Sequence, residues 1–182
     1  MPYIAKKSIQ NTKVMLNKKV EKKLVEQIEK EGYSASLYLA MASWAECNGL
    51  EGTANWMYAQ SDEERMHMLK IVKYVNERGG KAVISGFDKP PSDFKNVKTM
   101  FEQVFEHEQK VTASINDIVE VCLNEKDFTT HNWLQWFVNE QIEEEASVSA
   151  ILDKLKLLGD HNLYLFDRDI MGMRGQQPAS ME

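Results

Sequence analysis

Apolar residues recur at alternating spacings of three and four along four long stretches of the chain. That spacing places them on one face of an α-helix, so each stretch is predicted to be a helix that buries one face. A shorter helix is predicted from residue 162, in NLYLFDRDIM. The four long helices are predicted to begin at the capping residues Asn17, Thr53, Asn96 and Asp127 and to end near residue 46, at Gly79-Gly80, near residue 124 and before Gly159.

The connections between these helices differ in length. The turns near 47–53 and 125–127 are short, which indicates two antiparallel helix pairs. The segment KAVISGFDKPPSDFKN contains Gly86 and Pro90-Pro91, which a continuous helix does not accommodate. We therefore predict an all-α fold: an antiparallel four-helix bundle with one long crossover and a short fifth helix. The bundle domain is expected at 17–172, between flexible tails at 1–16 and 173–182.

Composition narrows the classes of partner. Lysine and arginine number 22 against 28 acidic residues, for a formal charge of −6, which argues against nucleic acid. No apolar run approaches the roughly 20 residues that cross a bilayer, and no secretory signal is evident at the N-terminus. Cys47 and Cys122 lack C-x-x-C spacing, which excludes a rubredoxin-like or zinc-ribbon site and suits reduced thiols. We expect a cytoplasmic protein that binds neither membrane nor nucleic acid.

Polar residues interrupt the apolar row of every long helix. Measured from the turn near residue 50, Glu31 lies about 19 residues back, and Glu64 and His67 lie about 14 and 17 forward. At about 1.5 Å per residue these positions share one level of the bundle. The second helix pair repeats the arrangement about the turn near 126. The interrupting residues are Glu31, Glu64, His67, Glu108, Gln141 and Glu144.

Four buried carboxylates at one level cannot all stay ionised without a compensating positive charge. A glutamate in an apolar row commonly reaches water or pairs with lysine, and a purely structural bundle would pair its polar residues with one another. Few basic residues lie in these rows, however, so metal cations are the better explanation. Oxygen-rich ligation with one imidazole suits iron or manganese, and a bridging glutamate would hold two ions about 3.5 to 4 Å apart. Carboxylate-bridged bundles typically repeat Glu-x-x-His, whereas the fourth helix carries Gln141-x-x-Glu144.

Five short stretches resemble the non-haem bacterial ferritins of the ferritin-like superfamily, and the similarity covers roughly residues 18–172. They are EGYSASLY (31–38), DEERMH (62–67), FEHEQ (105–109), WLQWFVNEQIEEE (133–145) and LYLFD (163–167). The resemblance implies a dinuclear iron site in which Glu31, Glu64 and His67 hold one iron. It further implies that Glu64 bridges to a second iron held by Glu108 and Glu144, with Gln141 beside the pair.

The same resemblance implies a third iron site and two redox-active side chains. Glu63, Glu140 and Glu143 match the third site, with Glu144 shared. Helical positions place Glu63 and Glu140 beside the buried row, whereas Glu143 turns further away and rests on the resemblance. A solvated acidic face is the alternative for these three glutamates. Tyr38 and Trp136 match residues that take part in oxidation, although both also suit plain core packing.

Haem is not expected. Bacterioferritins resemble this pattern but place a haem-ligating methionine directly after the glutamate of E-x-x-H. This chain has Arg65 there, and Met66 lies one place further on.

The resemblance implies an iron-storage ferroxidase. Such a protein oxidises Fe(II) to Fe(III) with O2 or H2O2 and stores ferric oxyhydroxide inside a shell, here of 24 identical subunits. The alternative is a di-iron oxidase or peroxidase, rubrerythrin-like or bacterioferritin-like, without bulk storage. The lack of a second histidine and of a C-x-x-C electron-transfer module counts against that alternative.

Overall fold

The computed structural model describes residues 16–159 and 162–174, and these residues contain helices and no strand. α1 packs along α2, α3 packs along α4, and α1 also contacts α3. The segment between α2 and α3 has no regular secondary structure. The predicted four-helix bundle with one long crossover and a short fifth helix is confirmed. The helices are α1 (Lys18–Cys47), α2 (Glu51–Glu77), α3 (Val97–Asn124), α4 (Phe128–Leu158) and α5 (Leu163–Asp169), followed by a 3-10 turn at Ile170–Met173.

Three of the four predicted helix starts lie where the capping side chains indicated. Asn17 Oδ1 accepts a hydrogen bond from the Lys19 amide at 2.8 Å. Asp127 Oδ1 accepts one from the Thr130 amide at 3.0 Å. Asn96 forms a reciprocal capping box with the third residue of α3. Each cap satisfies amide groups that a helix start leaves without an internal partner.

The start of α2 differs from the prediction. The helix begins at Glu51, so Thr53 lies inside it and is not its capping residue. The cap comes instead from Asp167 on α5, whose carboxylate accepts hydrogen bonds from the Gly52 and Thr53 amides at 3.0 and 2.8 Å and from the Thr53 hydroxyl at 2.7 Å. A carboxylate at this position also complements the positive end of the helix dipole. The prediction was wrong because the cap lies 114 residues away in sequence.

α5 lies directly against the first turn of α2. A Cβ at Gly52 would stand 1.7 Å from the Asp167 carbonyl oxygen, so any larger residue there would push the two helices apart. Phe166 and Ile170 are buried beside this contact. The C-terminal segment is therefore anchored to the bundle by both backbone and apolar contacts.

The core consists of two apolar clusters, one toward each end of the bundle. One cluster contains Tyr38, Trp56 and Phe101. The other contains Leu24 and Ile115, among others. Most apolar residues on the helix faces predicted to turn inward are buried. The polar residues of the predicted site fall between the two clusters.

Both predicted tails lie largely outside the described residues, which exclude 1–15 and 175–182. At their inner ends, Leu16 is buried in the core and Met173 packs against it. The division into two tails and one domain stays a prediction. None of the described helices has the length and apolarity to cross a membrane.

Candidate metal centre

The four long helices bring seven polar side chains to one buried level. Four carboxylates, two amides and one imidazole meet there, and in the part of the chain that the structure describes no arginine or lysine belongs to the cluster. Each is at most 7 % exposed: Glu31 1 %, Gln60 3 %, Glu64 1 %, His67 3 %, Glu108 0 %, Gln141 5 % and Glu144 7 %.

A fully buried, tight group joins α1 and α2. Glu31, Glu64 and His67 each offer a ligand atom, and these atoms all lie within 4.8 Å of one another. His67 Nδ1 lies 3.7 Å from Glu64 Oε2. Among the described residues, neither Glu31 Oε2 nor Glu64 Oε2 has a hydrogen-bond partner. Two buried acceptor oxygens beside a histidine nitrogen are a donor set that fits a divalent iron ion.

The carboxylates of α3 and α4 are held by neighbouring side chains. The Tyr38 hydroxyl donates to Glu108 Oε1, and Gln141 Nε2 donates to Glu108 Oε2 at 3.2 Å. Glu144 Oε2 accepts a hydrogen bond from Gln60 Nε2 at 2.5 Å. Both carboxylates are thus oriented within the same buried level, but neither belongs to the tight group on α1 and α2.

Burial changes the protonation of these groups. It raises the pKa of Glu64 and Glu144 well above the usual range, and the neighbouring Glu108 carboxylate adds to both shifts. It raises the pKa of Glu108 to about 7, although the hydrogen bonds from Tyr38 and Gln141 act in the opposite direction. Burial lowers the pKa of His67, which leaves a neutral imidazole able to bind a metal near pH 7. A cation that enters must therefore displace protons from the carboxyl groups.

A chain of hydrogen bonds from the protein surface fixes Glu31. Lys30 Nζ donates to Ser114 Oγ, which donates to Gln27 Oε1 at 2.6 Å. Gln27 Nε2 then donates to Glu31 Oε1 at 2.9 Å. Among the described residues, only Oε2 of Glu31 is left without a hydrogen bond. Gln27 was missed from the sequence, although it is a polar residue one turn before Glu31 in a buried position and could have been found by periodicity.

Tyr38 and Trp136 both contact predicted ligands. Tyr38 is fully buried, and burial raises the pKa of its phenol well above 10, with the Glu108 carboxylate adding to the shift. The Trp136 ring meets His67 edge-to-face, with ring centroids 5.4 Å apart, and Lys70 Nζ lies 3.8 Å from the centroid of the same ring. These distances establish contact with the predicted ligands, and the redox roles of both residues stay predictions.

A second group of possible ligands shares His67 with the first. Ligand atoms of Glu63, His67 and Glu140 lie within 4.8 Å of one another. Burial raises the pKa of Glu140, and the charges of Glu143 and Glu63 add to the effect. Glu143 itself is exposed. The structure therefore brings together Glu63 and Glu140 and leaves Glu143 at the rim.

Comparison with known proteins agrees with this geometry. A family model described as the ferritin-like domain matches residues 21–158, so the chain belongs to the ferritin family. Within it, the chain is similar to the bacterial non-heme ferritin of Campylobacter jejuni, with 46 % identity over 158 residues, which cover 86 % of this chain and 95 % of that protein. A probable bacterial non-heme ferritin-like protein of Haemophilus influenzae is 43 % identical over 158 residues, 86 % of this chain and 96 % of that protein. The predicted resemblance to non-haem bacterial ferritins is confirmed.

Solved structures give the same result. The open pore ferritin of the hyperthermophilic archaeon Archaeoglobus fulgidus superposes with a TM-score of 0.84 at 43 % identity, covering 87 % of this chain and 98 % of that one. A form of that ferritin engineered to be closed superposes with a TM-score of 0.83 at 45 % identity, covering 86 % of this chain and 96 % of that one.

Proposed function

We propose that this chain is the subunit of an iron-storage protein with ferroxidase activity. The observation that carries the proposal is the group of Glu31, Glu64 and His67, with two buried carboxylate oxygens that lack a hydrogen-bond partner in the described part of the chain. Similarity to non-heme ferritins supports iron as the ion. Iron is the substrate here, since it enters as Fe(II) and leaves as Fe(III).

In this proposal each predicted ligand has a defined part. Glu31, Glu64 and His67 hold the first iron, and Glu64 bridges to a second iron held by Glu108 and Glu144. Gln141 lies beside the pair and orients Glu108, as its hydrogen bond suggests. Because burial raises the pKa of Glu64, Glu108 and Glu144, binding iron releases protons from these groups.

The oxidation step balances with either oxidant. Two Fe(II) ions lose one electron each, and O2 takes up two electrons and two protons to form H2O2. If H2O2 is the oxidant, the same two electrons and two protons convert it to two water molecules. Tyr38 and Trp136 lie against Glu108 and His67 and are the proposed side chains for assisting electron transfer.

Glu63, Glu140 and Glu143 are proposed to form a third iron site on the way out of the pair. The proximity of Glu63 and Glu140 to His67 supports this path, since the two groups of ligands share that imidazole. The exposed Glu143 would provide the outermost carboxylate.

Storage requires a cavity, and we propose a shell of 24 identical subunits that encloses a ferric oxyhydroxide mineral. The proteins to which this chain is similar are named ferritins, and this similarity supports the proposed assembly. Leu157 and Tyr164 are 80 % and 78 % exposed, as expected of apolar side chains at subunit contacts.

The proposed compartment is the cytoplasm. Cys47 and Cys122 are both free thiols, which fits the reducing conditions there.

The initial rate of Fe(II) oxidation tests the dinuclear site. We expect Glu64→Gln to lower the initial rate of Fe(II) oxidation by at least about 100-fold, because loss of a bridging ligand should exceed the 10- to 100-fold cost of losing a supporting residue. The rate is followed as Fe(III) absorbance after rapid mixing in air. Asp62→Asn, an exposed change on the same helix, serves as the control and should leave the rate intact. An unchanged rate in Glu64→Gln would remove the bridging role.

The second candidate is a di-iron oxidase or peroxidase that does not store iron. Glu144 stands where the symmetric Glu-x-x-His pattern of many di-iron proteins has a second histidine, and this departure counts against the oxidase. Gel filtration separates the two candidates. A shell of 24 chains of 21.0 kDa elutes near 500 kDa, whereas a dimer would contradict storage.

A further inference from the structure

An arginine from the C-terminal segment reaches the second carboxylate group. Arg174 Nη2 donates to Glu63 Oε2 at 2.5 Å, and Arg174 Nη1 donates to the Trp56 carbonyl oxygen at 3.2 Å. The side chains of Arg174 and Glu63 are each only 14 % exposed. A bond that joins two largely buried charges is stronger than an exposed surface pair.

The backbone of the C-terminal segment fixes the position of this arginine. The Asp167 carboxylate caps α2, and the close approach at Gly52 sets the distance between α2 and α5. Ile170 is fully buried and begins the 3-10 turn that ends directly before Arg174. Several independent contacts thus aim the guanidinium along α2 toward Glu63.

The guanidinium also acts on the dinuclear site. Burial is the main influence on the pKa of Glu144 and raises it, whereas the positive charge of Arg174 acts in the opposite direction. Arg174 therefore lies close enough to influence a proposed ligand of the iron pair as well as Glu63. It thus lies against Glu63, one of the residues proposed for the third site.

We propose that Arg174 is a positioning residue that occupies Glu63 with an internal positive charge, so that iron gains this ligand only by displacing the guanidinium. The inference rests on the proposed function, because it assumes that Glu63 binds iron after oxidation. An entering ion must break a charge-assisted hydrogen bond and approach a like charge. For Fe(III), both the attraction to the carboxylates and the repulsion from the guanidinium are half as large again as for Fe(II). Because the carboxylates outnumber the guanidinium and the cost of breaking its bond is the same for both ions, Fe(III) enters more readily. Arg174 thereby favours the passage of oxidised iron from the dinuclear pair to the third site.

Zinc binding to the assembled apoprotein tests this role without any redox step. Zn(II) is titrated against a chromogenic chelator, and the affinities of the first two ions and of the third ion per chain are measured separately. We expect Arg174→Gln to tighten the third ion about tenfold, the equivalent of one charge-assisted hydrogen bond of about 1.4 kcal/mol. The first two ions should change little.

A double-mutant cycle shows whether the effect passes through Glu63. In a Glu63→Gln background, Arg174→Gln should tighten the third ion less, because only the repulsion by the guanidinium is then left to remove. Arg168→Gln is the matched control, because Arg168 belongs to the same segment but pairs with Asp169, both side chains being 58 % exposed. The control should leave all affinities unchanged. Equal tightening in Arg168→Gln, or in the Glu63→Gln background, would overturn the inference.

Arg174→Lys covers the case in which Arg174→Gln does not assemble. Lysine keeps the positive charge but cannot bond both Glu63 and the Trp56 carbonyl, so a smaller tightening is expected. Unchanged affinity for the third ion in either assembled variant contradicts the role of Arg174. Failure of the wild-type chain to bind two tight ions that depend on Glu64 would instead contradict the proposed function.

Discussion

Replacing Glu108 with glutamine should stabilise the apoprotein at alkaline pH. Glu108 is fully buried, and burial raises its pKa from 4.5 to about 7. Because the folded state holds this proton more tightly than the unfolded state does, the contribution of Glu108 to stability is fully present below about pH 4.5. It is lost as pH rises through 7, where the folded protein must accept a buried charge.

The size of the effect follows from the shift in pKa. At about 1.36 kcal/mol per pKa unit, the difference between 4.5 and about 7 corresponds to roughly 3 kcal/mol of folding free energy. A glutamine side chain has the same shape as the glutamate and can still accept the hydrogen bond from the Tyr38 hydroxyl, but it never ionises. The Gln141 amide can turn to accept a hydrogen bond from the new side chain. We therefore expect Glu108→Gln to raise the melting temperature of the apoprotein by about 6 to 12 °C at pH 8 and by little at pH 5.

Calorimetry at pH 5 and pH 8, at one protein concentration and with a metal chelator, measures this difference. Glu106→Gln, an exposed change on the same helix, is the control and should shift the melting temperature equally little at both values. Added Zn(II) should reverse the order at pH 8, because wild-type Glu108 can then bind the ion. Equal melting temperatures for Glu108→Gln and wild type at pH 8 would refute the argument that burial without a cation destabilises this carboxylate.

Three further changes test the supports of the site. Gly52→Ala should lower the melting temperature, because its Cβ would collide with the Asp167 carbonyl; the cost of such overpacking is about 1–3 kcal/mol, and calorimetry measures it. Gln27→Leu should weaken the tightest Zn(II) site about tenfold in a chelator titration, because Glu31 loses its orienting hydrogen bond. Tyr38→Phe should leave zinc stoichiometry unchanged but slow Fe(II) oxidation about tenfold in rapid mixing. An unchanged melting temperature in Gly52→Ala, an unchanged zinc affinity in Gln27→Leu or an unchanged oxidation rate in Tyr38→Phe contradicts the corresponding support.

Local patterns predicted most of the fold. Asn17, Asn96 and Asp127 cap their own helices, so the signal and the structure lie within a few residues of each other. Periodicity also predicted which polar residues share one buried level, because a helix converts sequence spacing directly into depth. The relative depths of Glu31 and Glu64 needed nothing more than the position of the turn between them.

Contacts between distant segments could not be predicted in this way. The cap of α2 comes from Asp167, and no spacing rule relates it to Thr53. Arg174 was assigned to a polar tail because it follows the last helix, although the 3-10 turn carries it back to Glu63. Both depend on how α5 docks, which is determined by the absence of a side chain at Gly52 rather than by any periodic pattern.

Iron retention tests the central claim most directly. The assembled apoprotein is mixed with Fe(II) in excess in air, passed through a desalting column, and assayed for iron per chain and for the broad absorbance of a ferric mineral. We predict retention well beyond the three ions that the proposed sites of one chain can hold, together with mineral absorbance. Retention of about two ions per chain, without that absorbance, would contradict storage.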